Sequence, residues 1–158
     1  MQAQCWPVAL AGRDCVGIAE TGSGKTLAFM APAIAHCYAQ PKLASGEGPM
    51  VLVLAPTREL AGQIYGVSGA WGKCLGVRCG VVYGGVDRGP QMKACRSGIH
   101  ILVATPGRLI DFLAKDVTNF RRTSILIVDE VRFLFRFCIC LVKSFLGGWS
   151  HSHTYTQN

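Results

Sequence analysis

The sequence has no acidic residue after Glu130, no uncharged apolar run close to the length of a membrane span, and no CxxC pair among its eight cysteines. Each absence excludes something. A spanning helix needs about 20 consecutive apolar residues, and no run here approaches that; the apolar run at residues 137–142 is enclosed by Arg136 and Lys143. Residues 1–10 carry no charged n-region, and Arg13 and Asp14 follow soon after, so no secretory leader is expected. Cysteines in this pattern, without a leader, are expected to be reduced and mostly buried in an intracellular protein of the nucleus or cytoplasm. Cys138, Cys140, His151 and His153 do not suit a zinc finger: C-x-C brings two thiols too close together, and no second knuckle exists.

What is present is apolar and basic. Half of the 158 residues are hydrophobic, enough for one domain with a real core. The net charge of +7 favours a polyanionic partner. Its distribution is uneven. Thirteen basic and nine acidic residues precede position 131; three basic, no acidic and six aromatic residues follow it. This break divides the chain into an expected folded domain, residues 1–130, and a tail, residues 131–158, of unrelated character. The dipeptide Val131-Arg132 fits in-phase reading through a splice junction, because an intron's initial GT opens a valine codon.

Within residues 1–130, apolar runs alternate with helical patterns. Residues 15–19, 50–55, 78–83, 99–105 and 124–129 read as five strands. Residues 25–39 read as a helix that can bend at Pro32, and residues 57–73 as a helix weakened by four glycines. Shorter helices are expected at 88–96 and at 106–114, with Pro106 in a first turn. Strands that are apolar throughout and separated by helices specify an α/β fold, a parallel β-sheet sandwiched by helices. Ligands of such sheets bind beyond the strands' carboxyl ends.

The segment "AETGSGKT", residues 19–26, joins a predicted strand to a predicted helix. Thr21, Gly22, Ser23 and Gly24 form a loop whose backbone N–H groups can surround a phosphate at a helix N-terminus. Lys25 would reach the β- and γ-phosphates, and the Thr26 hydroxyl would bind Mg²⁺. Asp129 and Glu130 end a later apolar strand. Asp129 suits Mg²⁺, and Glu130 suits orienting and deprotonating a water, so the pair implies nucleoside triphosphate hydrolysis. No NKxD-type guanine motif accompanies them.

"QAQCWPVALAGRD", "AETGSGKT", "APTREL", "GG", "ATPGRL" and "VDE" occur in an order and spacing that resembles the DEAD-box ATP-dependent RNA helicases. The resemblance covers residues 1–130, as the first RecA-like P-loop NTPase domain of that family in incomplete form. It implies ATP and Mg²⁺ as cofactors, with Lys25, Asp129 and Glu130 catalytic. Gln2 would read adenine through its carboxamide. Pro56, Thr57, Arg58, Gly84, Gly85, Thr105, Pro106, Gly107 and Arg108 would hold single-stranded or duplex RNA by its backbone. The family's Ala-Asp after VDE is replaced by Val131-Arg132, and its Ser-Ala-Thr motif and second RecA-like domain do not occur here. Hydrolysis and unwinding by this chain alone are therefore expected to be very slow or absent. The alternative is a non-catalytic ATP- and RNA-binding module or a non-functional truncated product.

Overall fold

Four apolar runs, none able to bury itself alone, set the architecture of the computed structural model, which describes residues 1–20 and 22–130. The elements in chain order are α1 (Gln2–Leu10), α2 (Lys25–Ala39), β1 (Val51–Leu54), α3 (Arg58–Cys74), β2 (Cys79–Val82), α4 (Arg88–Arg96), β3 (Ile101–Ala104), α5 (Pro106–Ala114) and β4 (Ile125–Val128). The strands form one sheet in the order β2-β3-β1-β4, and every pairing is parallel.

Successive side chains of a strand point to opposite faces, and here both faces are covered. Val51, Val53, Ile101 and Val103 pack with Met30, Ala33 and Ile34 of α2 and with Ala61 and Ile64 of α3. Leu52, Leu54, Leu102 and Ala104 pack on the other face with Cys95 of α4 and with Leu109 and Phe112 of α5. This is why β1 and β3 read as unbroken apolar runs and are buried at every position. Burial of each large side chain stabilises the fold by roughly 1.5–3 kcal/mol. The helix-covered parallel sheet expected from the sequence is the one observed.

One expected strand does not form. Residues 15–19 are irregular, and Val16 and Ile18 are 85% and 96% exposed. A strand exists through its hydrogen-bonded neighbours, and no strand of the sheet pairs with this segment. The apolar character was read correctly, but the ladder that would use it is missing among the described residues. Conversely, α1 was not anticipated. It has Pro7 within it, buries no residue completely, and packs against α2.

Helix α3 forms in spite of its glycines, for two local reasons. The Thr57 hydroxyl accepts the Leu60 N–H at 3.2 Å, capping the N-terminus, with Glu59 in the first turn and Lys73 in the last. A Cβ on Gly72 would stand 2.7 Å from the Val77 carbonyl oxygen and 3.0 Å from Cys79 Sγ, so glycine there lets α3 close on β2.

All six described cysteines are free. Only Cys37 and Cys95 are buried; Cys5 and Cys79 are half-buried, and Cys15 and Cys74 are exposed. The expectation of mostly buried thiols therefore holds for the core helices and not for the surface. Burial pushes the Cys37 thiol up to about 12 and the Cys95 thiol up to about 11. No helix among the described residues is long and apolar enough to cross a membrane. The tail assigned to residues 131–158, with its two cysteines and two histidines, lies outside the described residues.

Candidate functional site

A parallel sheet brings the carboxyl ends of all its strands to one edge. Here β1 leads into Pro56-Thr57-Arg58, β2 into Tyr83-Gly84-Gly85, β3 into Thr105-Pro106-Gly107-Arg108, and β4 into Asp129-Glu130. Segments scattered over the chain are thus placed along one rim. The Asp129 N–H donates to Leu54 O, the Ala55 N–H to Ala104 O and the Thr105 N–H to Val82 O, so the sheet ladder runs right up to that rim.

The glycine-rich loop enters α2 at its N-terminus. Gly22 and Gly24 have φ of +83° and +80°, a region that a side chain makes costly. Gly24 is the N-cap of α2 and supplies no side chain to its first amides. Lys25 opens the helix and donates from Nζ to Ala19 O at 2.9 Å. The Ser23 N–H closes the loop on Glu20 O at 3.3 Å. A Cβ on Gly24 would stand 2.8 Å from Gln2 Nε2, so the structure sets the predicted adenine reader directly against the loop. Thr26 follows Lys25 in the first turn and is half-buried; Thr21 lies outside the described residues.

At the end of β4, Asp129 is half-buried and its Oδ1 accepts the Glu130 N–H at 3.0 Å. Glu130 is exposed and takes a left-handed conformation, φ +54°, uncommon for a residue with a side chain.

In the other three segments Thr57, Arg58, Gly84, Gly85 and Gly107 are exposed, Pro56 and Thr105 are half-buried, and Pro106 and Arg108 are buried. Arg58 is exposed, pairs with Glu59 at 2.6 Å, and lies beside Gly85, where an added Cβ would be 3.5 Å from Arg58 Nη1. Its hydrogen bond to Glu59 raises the Arg58 pKa further and lowers that of the Glu59 carboxyl. Thr105 caps α5 without a side-chain bond to it, and Pro106 occupies the first turn as expected. Gly107 is exposed. Arg108, expected at an RNA phosphate, is 8% exposed, donates from Nη2 to Val86 O at 3.0 Å, and lies 5.7 Å over the Phe112 ring. It supports the Gly84-Gly85 loop from inside.

The sequence reading missed Gln91. Its Oε1 accepts the Tyr83 N–H, and its Nε2 donates to Tyr83 O and Asp87 O. Only a loop with known carbonyl directions identifies such a residue; a glutamine within a polar helix carries no local signal.

The residues present suit a nucleoside triphosphate with magnesium. Two left-handed glycines and an uncapped helix N-terminus offer backbone donors, Lys25 a cation, and Asp129 a carboxylate with one oxygen beyond that bonded to Glu130. Magnesium takes one or two carboxylates and completes its shell with phosphate and water. A cluster of three or more metal-binding side chains, which the described residues lack, is not what it requires.

A family model described as DEAD/DEAH box helicase matches residues 1–136. Over 130 residues the chain is 57% identical to the ATP-dependent RNA helicase DBP2 of Chaetomium thermophilum and 55% identical to the DEAD-box ATP-dependent RNA helicase 30 of Arabidopsis thaliana. These alignments take in 82% of the chain and 23% and 22% of the relatives, so the chain spans about a quarter of their length. Among solved structures, Prp28 of Chaetomium thermophilum bound to ADP superposes with a TM-score of 0.79 at 38% identity, covering 90% of this chain and 35% of that one. A hypothetical ATP-dependent RNA helicase of Sulfolobus tokodaii gives 0.78 at 33%, covering 94% and 42%.

Proposed function

The chain belongs to the DEAD/DEAH box helicase family, and on that premise we propose that it binds ATP with magnesium and the backbone of RNA, as part of an ATP-dependent RNA helicase. The observation that carries this reading is the convergence of the carboxylate pair and three polar segments on one rim of the sheet, together with a glycine-rich loop that opens α2 on two left-handed glycines.

Each group has a physical task in it. Gln2, beside Gly24, presents donor and acceptor together to adenine. Gly22, Ser23, Gly24 and the first amides of α2 hold phosphate oxygens, with Thr21 completing the loop; Lys25 adds its charge after leaving Ala19 O. Thr26 and Asp129 would hold the magnesium, which when bound neutralises developing phosphate charge. Glu130 orients a water and takes its proton. Pro56, Thr57, Arg58, Gly84, Gly85, Thr105 and Gly107 meet RNA phosphates and sugars, contacts that carry no base sequence, and the buried Pro106 shapes the turn beneath them. Arg108 serves that surface through Val86. A second RecA-like domain is the partner this reading calls for, facing the same rim.

Equilibrium binding of a fluorescent ATP analogue with magnesium tests the proposal. Lys25→Ala is expected to weaken binding several-fold, because the lysine gains its phosphate contact only in exchange for its bond to Ala19 O. Analogue binding that Lys25→Ala leaves unchanged would refute the loop assignment. Binding of ATP and RNA with no turnover, even beside a supplied second domain, would instead mark a binding module.

A further inference from the structure

Beyond the residues already given roles, we propose that Gln91 is a positioning residue that sets the Gly84-Gly85 loop in its RNA-competent form; the inference rests on the RNA reading of the rim. It starts from the end of β2. The ladder stops at Val82, whose carbonyl takes the Thr105 N–H. Tyr83, at the end of this edge strand, has an N–H and a carbonyl with no neighbouring strand among the described residues. The Gln91 carboxamide replaces that strand: Oε1 accepts the Tyr83 N–H at 3.0 Å and Nε2 donates to Tyr83 O at 3.3 Å. The same Nε2 donates to Asp87 O at 3.2 Å, so one side chain ties the start of the loop to its end.

The rest of the loop follows from those ties. Gly85 reverses the chain at φ +82°, and Arg108 takes Val86 O from below at 3.0 Å. Asp87 turns away to cap α4, its Oδ1 accepting the Gly89 N–H. The carbonyls of Tyr83, Val86 and Asp87 are therefore engaged inward. The N–H groups of Gly84, Gly85 and Val86 have no acceptor among the described residues and lie on exposed residues. A short run of free amides between the held Tyr83 carbonyl and the held Val86 and Asp87 carbonyls suits an anionic phosphate. Without Gln91 the loop can turn those carbonyls outward, and each phosphate contact must then reorder it.

The test uses the full chain and a labelled single-stranded oligouridylate, read by fluorescence anisotropy at fixed low salt. Gln91→Ala is expected to weaken RNA binding about tenfold through lost preorganisation. Gln91→Met, which keeps the volume and removes all three hydrogen bonds, should match it. Affinity for the ATP analogue stays unchanged in both variants, and hydrogen exchange at Gly84, Gly85 and Val86 speeds up. If the unaltered chain binds the RNA and both variants bind it equally well, the inference fails while the RNA reading stands. Parallel loss of RNA and nucleotide binding also overturns it, by exposing a general structural role. If the unaltered chain binds no RNA, the RNA reading fails and takes this inference with it.

Discussion

Substituting the two left-handed glycines of the loop separates two effects that the structure places two residues apart. Gly22→Ala and Gly24→Ala both force a side chain into φ near +80°, at a cost of about 1–2 kcal/mol each. Their surroundings differ. Nothing lies within 4 Å of a Cβ on Gly22, whereas a Cβ on Gly24 would stand 2.8 Å from Gln2 Nε2. The carboxamide ends a flexible side chain, so it will move rather than break the helix. Moving it would misalign the adenine contacts proposed for Gln2, each worth about 0.5–1.5 kcal/mol net. Gly22→Ala should therefore weaken ATP and GTP alike, while Gly24→Ala should also lower the ATP-to-GTP preference by about tenfold for a loss near 1.4 kcal/mol. Competition of ATP and GTP against a fluorescent nucleotide measures both ratios, and Gln2→Ala supplies the floor for the preference. Equal preference in the two glycine variants would refute the placement of Gln2 as the adenine reader.

Two further outcomes follow from the core and from the histidines. Phe112 is fully buried and also underlies the Arg108 guanidinium; Phe112→Ala should cost about 3–5 kcal/mol in urea unfolding, against under about 0.5 for the exposed neighbour in Ile110→Ala. His100 Nδ1 accepts the Arg78 N–H at 2.8 Å, and burial followed by the Arg78 charge lowers its pKa; burial also lowers that of His36. Because the folded values lie below the unfolded 6.5, the unfolded chain gains protons first as pH falls. Stability should thus be full above about pH 7 and decline through about 6.5 and below. The unfolding midpoint measured across that window should flatten in His100→Gln, and an unaltered slope there would refute the assignment.

What could be read in advance depended on whether a residue's partner was implied by its own neighbourhood. Helix α2 was bounded from residues 25–39 because its apolar positions repeat at helical spacing and a glycine precedes it. The interiors of β1 and β3 were plain because burial on both faces demands unbroken apolar runs. The apolar run at 15–19 carries the same local signal and is no strand, since strand formation is decided by a neighbour elsewhere in the chain. At the site, glycines and the lysine were legible because phosphate chemistry restricts both residue type and spacing. Arg108 is expected at a phosphate from its guanidinium and its place in the Thr-Pro-Gly-Arg segment. Its burial against Phe112 and its bond to Val86 O depend on how α5 lies against the β2 loop, which no local pattern encodes. Gln91 was hidden for the same reason.

The bond from Lys25 Nζ to Ala19 O makes the glycine-rich loop an intramolecular mimic of its own complex. A phosphate reaching Lys25 displaces a neutral carbonyl rather than water, so the lysine contributes a difference between two hydrogen bonds and not a whole one. Both bonds come from the same ammonium and both are charge-assisted, so only the difference between a phosphate and a carbonyl acceptor is gained. A lysine with a resting acceptor close by keeps its ammonium paired whether or not an anion reaches it.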